Sequence, residues 1–201
     1  MKLFKTTLIV CVLLLNLLFV RPAWADAGKF INTPEYTQVT QAIADLTNPE
    51  KTTDLAPEAI QQKLADLRFQ KYILDTAESR SVCRNDTGKT LGIYTKSKKA
   101  TLPTVSFLGA GQATDDDVEC MGIFLPVGSK VASGSAEGFT DPVVAKFVPG
   151  TQLIATADPE TGVIDFNAPG SGFFKAGEID WAIPTLTQAE VEAQVPNAPV
   201  D

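Results

Sequence analysis

The stretch SRSVCRNDTGKTLGIYT, Ser79 to Thr95, is where the chain changes its period. Upstream of it, apolar residues recur at helical spacing; within it, they alternate. Ser81–Arg84 predicts a strand, Asn85-Asp86-Thr87-Gly88 a turn, and Thr90–Thr95 the returning strand, with Leu91 and Ile93 on one face. The pattern predicts an antiparallel hairpin, and its flanks then decide the fold class.

Upstream, Tyr36, Val39, Ile43 and Leu46 share one helical face. Thr33 is placed to cap this helix, with Pro34 in its first turn, where the missing amide costs nothing. Asn48-Pro49 ends it, and a polar loop follows through Thr52 and Thr53. Asp54 or Ala56 before Pro57 starts a second helix, with Glu58 near its positive end. Ile60, Leu64, Leu67 and Leu74 form its apolar stripe. Ala65, Phe69, Tyr72 and Ile73 broaden it, and the helix runs to about Ala77.

Downstream, short strands fit Thr104–Leu108, Cys120–Leu125, Val143–Val148, Leu153–Ala157 and Val163–Phe166. Pro103, Pro126, Pro149-Gly150, Asp158-Pro159 and Pro169-Gly170 punctuate them. Thr187–Gln194 fits a short helix with Thr187 as cap and Glu190 three residues on. Pro196 stops it and a loose tail is expected. The fold class is therefore α+β: two N-terminal helices followed by an antiparallel β-sheet, sandwich or partial barrel. The segments read 1–25 leader, 26–78 helical, 79–186 β-rich, and 187–201 short helix and tail.

The leader begins with Lys2 and Lys5. Leu8–Val20 is apolar apart from Asn16, and Ala23-Trp24-Ala25 follows. This is the pattern of a secretory signal peptide cleaved after Ala25. The apolar run is short of the roughly 20 residues that span a bilayer. No integral membrane segment is expected after cleavage. Losing Lys2, Lys5 and Arg21 takes the formal net charge from −7 to −10. So acidic a chain repels phosphate backbones, and nucleic-acid binding is not expected. Cleavage also removes Cys11, leaving Cys83 and Cys120, which in an exported chain read as one disulfide. The Ala-Trp-Ala site and the acidic mature chain resemble exported proteins of cyanobacteria. That resemblance implies periplasm or thylakoid lumen, with extracellular release as the other exported destination. It covers leader and composition and carries no functional residue.

Several motifs fail on inspection. Gly88-Lys89-Thr90 ends like a phosphate-binding loop, but Cys83 stands where the first Gly belongs and a strand follows. Gly109-Ala110-Gly111 has Thr114 where a dinucleotide turn needs a third Gly. Gly134 to Gly138 has the wrong order for a nucleophile elbow. The sequence contains no histidine, which excludes a His-based triad. No cofactor is implied.

The sharpest charge cluster is Asp115-Asp116-Asp117-Val118-Glu119. Asp115, Asp117 and Glu119 are candidate Ca²⁺ ligands, since hard cations take clustered carboxylates. The EF-hand count fails at Cys120 and Pro126, and a solvated loop is the other reading. Asp165, Glu178 and Asp180 are the carboxylates available for hydrolytic chemistry. Asn85-Asp86-Thr87 matches a glycosylation pattern that turn chemistry explains equally. Phe166, Phe173, Phe174 and Trp181 are expected in the core. Phe173 and Phe174 are neighbours on opposite strand faces, so one ring is expected to be exposed as a partner contact. The resulting expectation is an exported, non-enzymatic binding or accessory protein with a protein partner, as an extrinsic component of a membrane complex would be. The alternatives are a carboxylate-dependent hydrolase or isomerase, and a Ca²⁺-stabilised extracytoplasmic domain.

Overall fold

The structure is a computed structural model that describes residues 28–52, 56–135 and 137–200. The leader reading and the candidate cap Asp54 lie outside the described residues. Helix α1, Pro34–Thr47, starts as expected: Thr33 Oγ1 accepts the Tyr36 N–H at 3.3 Å. At its end Asn48 Oδ1 accepts the Glu50 N–H at 3.0 Å and opens one 3₁₀ turn, Pro49–Lys51. Helix α2, Pro57–Thr76, begins after Ala56, which supplies no side-chain cap.

Eight strands follow: β1 (Val82–Asp86), β2 (Leu91–Ser97), β3 (Thr104–Leu108), β4 (Val118–Leu125), β5 (Val143–Lys146), β6 (Gln152–Ala157), β7 (Ile164–Phe166) and β8 (Gly172–Lys175). The sequence reading implies strand β8 only through the Phe173-Phe174 pair and gives it no bounds. A short α3, Gln188–Glu192, carries the expected capping box between Thr187 and Glu190. The strands form a five-stranded antiparallel sheet in the order β3-β2-β4-β5-β8 and a three-stranded sheet in the order β1-β6-β7. The architecture is α+β and sandwich-like, with no closed barrel.

The expected hairpin of β1 and β2 does not form. Strand β1 pairs in parallel with β6, Cys83 opposite Leu153, while β2 lies in the other sheet. The cause is Asn85, which is fully buried. Its Nδ2 donates to the carbonyls of Lys89 at 2.7 Å and Leu108 at 2.8 Å, and its Oδ1 accepts from Thr87 N and Oγ1. These bonds carry the chain across the sandwich rather than back along the same sheet. They also use both Nδ2 protons, so the glycosylation-like pattern is turn chemistry here.

Cys83, Leu153 and Ala155 of the small sheet meet Leu91, Ile93, Leu108, Ile123, Leu125 and Val143 of the large one in the main core. The far face of the large sheet is covered too. Tyr94, Phe124 and Val144 pack under Trp181 and Val191, the latter from α3. Leu91 and Ile93 thus share a face as expected, and the chain's own C-terminal part covers the face opposite. The expected loose tail is a correction as well. Ala198 packs on the main core, the Asn197 and Ala198 amides donate to Phe107 O, and the Asp115 amide donates to Pro199 O.

The two helices pack on each other and meet the β-region through a third cluster of Phe30, Val39, Leu74 and Val148. Gly150, at φ +85°, lets this happen: a side chain there would run into the Phe30 ring and Ala77. Gln70 is buried and donates to Gly170 O at 2.9 Å. The predicted stripe is thus only partly used. Leu74 is buried and Leu67 half-buried in this cluster, whereas Ile60 and Leu64 are half-buried outside it.

Candidate functional site

The cysteines come together. Cys83 on β1 and Cys120 on β4 stand at disulfide distance, Cα atoms 5.7 Å apart, linking the two sheets inside the main core. The acidic loop Asp115–Glu119 leads into Cys120. Asp115 Oδ1 accepts the Asp117 N–H at 2.7 Å, and Lys98 Nζ donates to Asp117 Oδ1 at 2.8 Å. Arg80 donates to the Asp117 carbonyl, and Glu119 lies opposite Lys96 across β2 and β4. The hydrogen bond from Lys98 holds the Asp117 carboxyl below its ordinary range. The basic stretch Lys96-Ser97-Lys98-Lys99 and the acidic loop thus face each other. Among the described residues no group of three or more Cys, Asp or Glu converges as metal ligands do.

Asp165, Glu178 and Asp180 are exposed; Asp165 lies on β7, and Glu178 and Asp180 lie in the turn region after β8. Asp165 Oδ1 accepts from the Phe166 amide, and Glu178 Oε2 accepts from the Lys175 amide. The structure does not gather them into a cleft. A cavity of about 400 Å³ does open beside the Thr87–Leu91 turn, yet its carboxylates are already engaged. Asp158 accepts from Glu160 N and Thr161 N, and these and the Thr161 hydroxyl hold its carboxyl low. Glu192 is ion-paired with Lys89 at 3.0 Å. The Tyr94 phenol donates to Ala182 O at 3.0 Å, and burial pushes its pKa up, so it is a structural group.

Phe173 and Phe174 do lie on opposite faces of β8, but neither ring is exposed. Phe173 packs on the main core, 5.1 Å from the Phe139 ring, and Phe174 packs on the outer cluster under Trp181. A strand with both faces covered leaves both neighbours half-buried, which the expectation of one free ring did not allow for.

The exposed aromatics lie elsewhere. On α2, Phe69 is 44 % and Tyr72 61 % exposed, and their rings stack with centroids 6.4 Å apart. Among the described residues no other aromatic side chain is exposed. Gln61, Ala65 and Arg68 continue the same exposed face. It faces away because Leu74, Gln70 and Leu67 turn toward α1 and the sandwich. The sequence signal was there: two aromatics three residues apart, displaced from the Leu stripe. Among the described residues no helix is long and apolar enough to cross a membrane. Compared with known proteins, the chain matches no family, no curated protein and no solved structure.

Proposed function

We propose that this is an exported, non-enzymatic binding or accessory protein, an extrinsic partner of a membrane complex in periplasm or thylakoid lumen. It engages a protein through the outer face of α2. The observation that carries the reading is the stacked Phe69–Tyr72 pair, the exposed aromatics among the described residues. Aromatic side chains supply large contact area at little entropic cost and are enriched at the energetic centres of interfaces. The leader pattern, the two cysteines at disulfide distance and the absence of histidine from the sequence support the same reading.

The test is capture of partners by the tagged mature protein from native membranes and from soluble extract, beside a Phe69→Ala/Tyr72→Ala variant. Proteins retained by the wild type and lost by the variant, at unchanged melting temperature, are the expected result. Identical recovery by both would remove α2 from the reading, and retention of nothing from either extract would remove the protein partner.

A further inference from the structure

We infer that the outer edge of β3, with the adjoining Ala113–Asp115 segment, is a binding site for an extended peptide, filled in this chain by its own C-terminal residues. The ligand chemistry is Asn, then a small apolar residue, then Pro and an aliphatic residue. This site stands apart from the α2 surface and does not rest on the function proposed above.

Strand β3 is the terminal strand of the large sheet, so one side of its backbone lacks a strand partner. At Phe107 that side is read in full by the tail. Asn197 Oδ1 accepts the Phe107 N–H at 2.8 Å, and the Asn197 and Ala198 amides donate to Phe107 O at 2.9 and 3.0 Å. One side chain and two amides thus satisfy both backbone groups of one residue. Asp offers an acceptor too, but it would add a negative charge to a chain already this acidic, which the neutral amide of Asn does not.

The next positions continue the selection. Ala198 packs on the rim of the main core, which admits a small apolar group. Pro199 brings no amide where none is used, and its carbonyl accepts the Asp115 N–H at 3.0 Å. Val200 closes the contact by an antiparallel bridge to Thr114, a buried residue whose Oγ1 accepts the Cys83 amide. Main-chain bonds supply affinity and alternate side chains supply selection, the logic of a peptide added to a sheet edge. The occupant is attached through the exposed Val195 and Pro196. A tethered ligand competes at an effective concentration in the millimolar range, so a free peptide meets a site already filled.

The experiment uses a fluorescein-labelled peptide of residues Pro196 to Asp201 and three proteins: the wild type, an Asn197→Ala variant, and a chain ending at Val195. Fluorescence anisotropy should show binding to both altered proteins, and at least about tenfold weaker binding to the wild type. The same peptide carrying Ala for Asn should lose at least about tenfold in affinity. Amide exchange at Phe107 should be fast in the Asn197→Ala protein and slow in the wild type. Three results overturn the inference: unchanged Phe107 protection in that variant, no binding to either folded variant at about 1 mM peptide, or equal binding to all three proteins. If the shortened chain does not fold, millimolar peptide must restore its native Trp181 emission, and failure to do so also overturns it.

Discussion

Ile93 of β2 and Leu67 of α2 are both apolar residues in the middle of a regular element, and they meet different surroundings. Ile93 is fully buried between two sheets, and its neighbour Tyr94 is fully buried on the opposite face. Leu67 is half-buried in a cluster that reaches the β-region through Leu74, Val148 and Phe30. The sandwich is thus closed on both faces of its large sheet. The helical pair is held near one end, around Gly150 and the Gln70 bond to Gly170. Regions with few buried contacts open locally at lower free energy than the core. The helical pair is accordingly expected to separate before the sandwich melts.

The largest effect available is on the sandwich. Replacing Cys83 and Cys120 by Ser should cost about 4 kcal/mol, because a bond between residues 37 apart restricts the unfolded chain. It is measured by denaturant unfolding, and thiol labelling of the unfolded, unreduced mature protein checks the premise. Two reactive thiols per chain would show that the bond does not form. Leu74→Ala comes next, at about 3 kcal/mol for a fully buried leucine. This change should free the helical pair while Trp181 emission, which reports the sandwich, stays native. A simultaneous loss of both signals would erase the contrast between the regions.

Leu67→Ala should cost less, about 1–2 kcal/mol, since this side chain is only half-buried. A cost equal to that of Leu74→Ala would mean the helices are held along their whole length. Phe69→Ala and Tyr72→Ala should each stay within about 0.5 kcal/mol of the wild type, as exposed sites do. A larger loss would make these rings structural. The smallest effect is on the acid side. Lys98 lowers the carboxyl of Asp117, Lys175 that of Asp141, and Lys51 that of Asp45, each from 3.8. A depressed folded-state pKa contributes stability above the unfolded value, and that contribution is lost as pH falls through the folded one. Melting temperature should therefore decline below about pH 4, weakly and in a salt-sensitive way, because these pairs are exposed.

How much was legible depended on how local the cause was. Thr33 with Pro34, and Thr187 with Glu190, act within one helical turn, and both caps stand where the sequence put them. Most strand positions were legible for the same reason, since alternation with Gly/Pro turns is a property of adjacent residues. Strand β8 was legible only through its Phe173-Phe174 pair, without bounds, because Gly172–Lys175 is short and covered on both faces, so it shows no alternation. The exposed pair on α2 was read into the helix's apolar stripe. Periodicity groups apolar residues by angle and does not say which of them meets a neighbour.

By itself, then, the sequence determined the α+β class, the helix starts, and the two cysteines outside the N-terminal apolar stretch. These follow from backbone preferences and from counting, both independent of distant contacts. Tertiary structure alone decided that β1 leaves β2 for β6, that the C-terminal residues clasp Phe107, and that Phe69 rather than Phe173 is exposed. Strand edges present nearly the same donors and acceptors whatever their side chains. Partner choice is therefore fixed by what the rest of the chain packs against them, as when Asn85 holds Lys89 and Leu108 at the crossing between sheets.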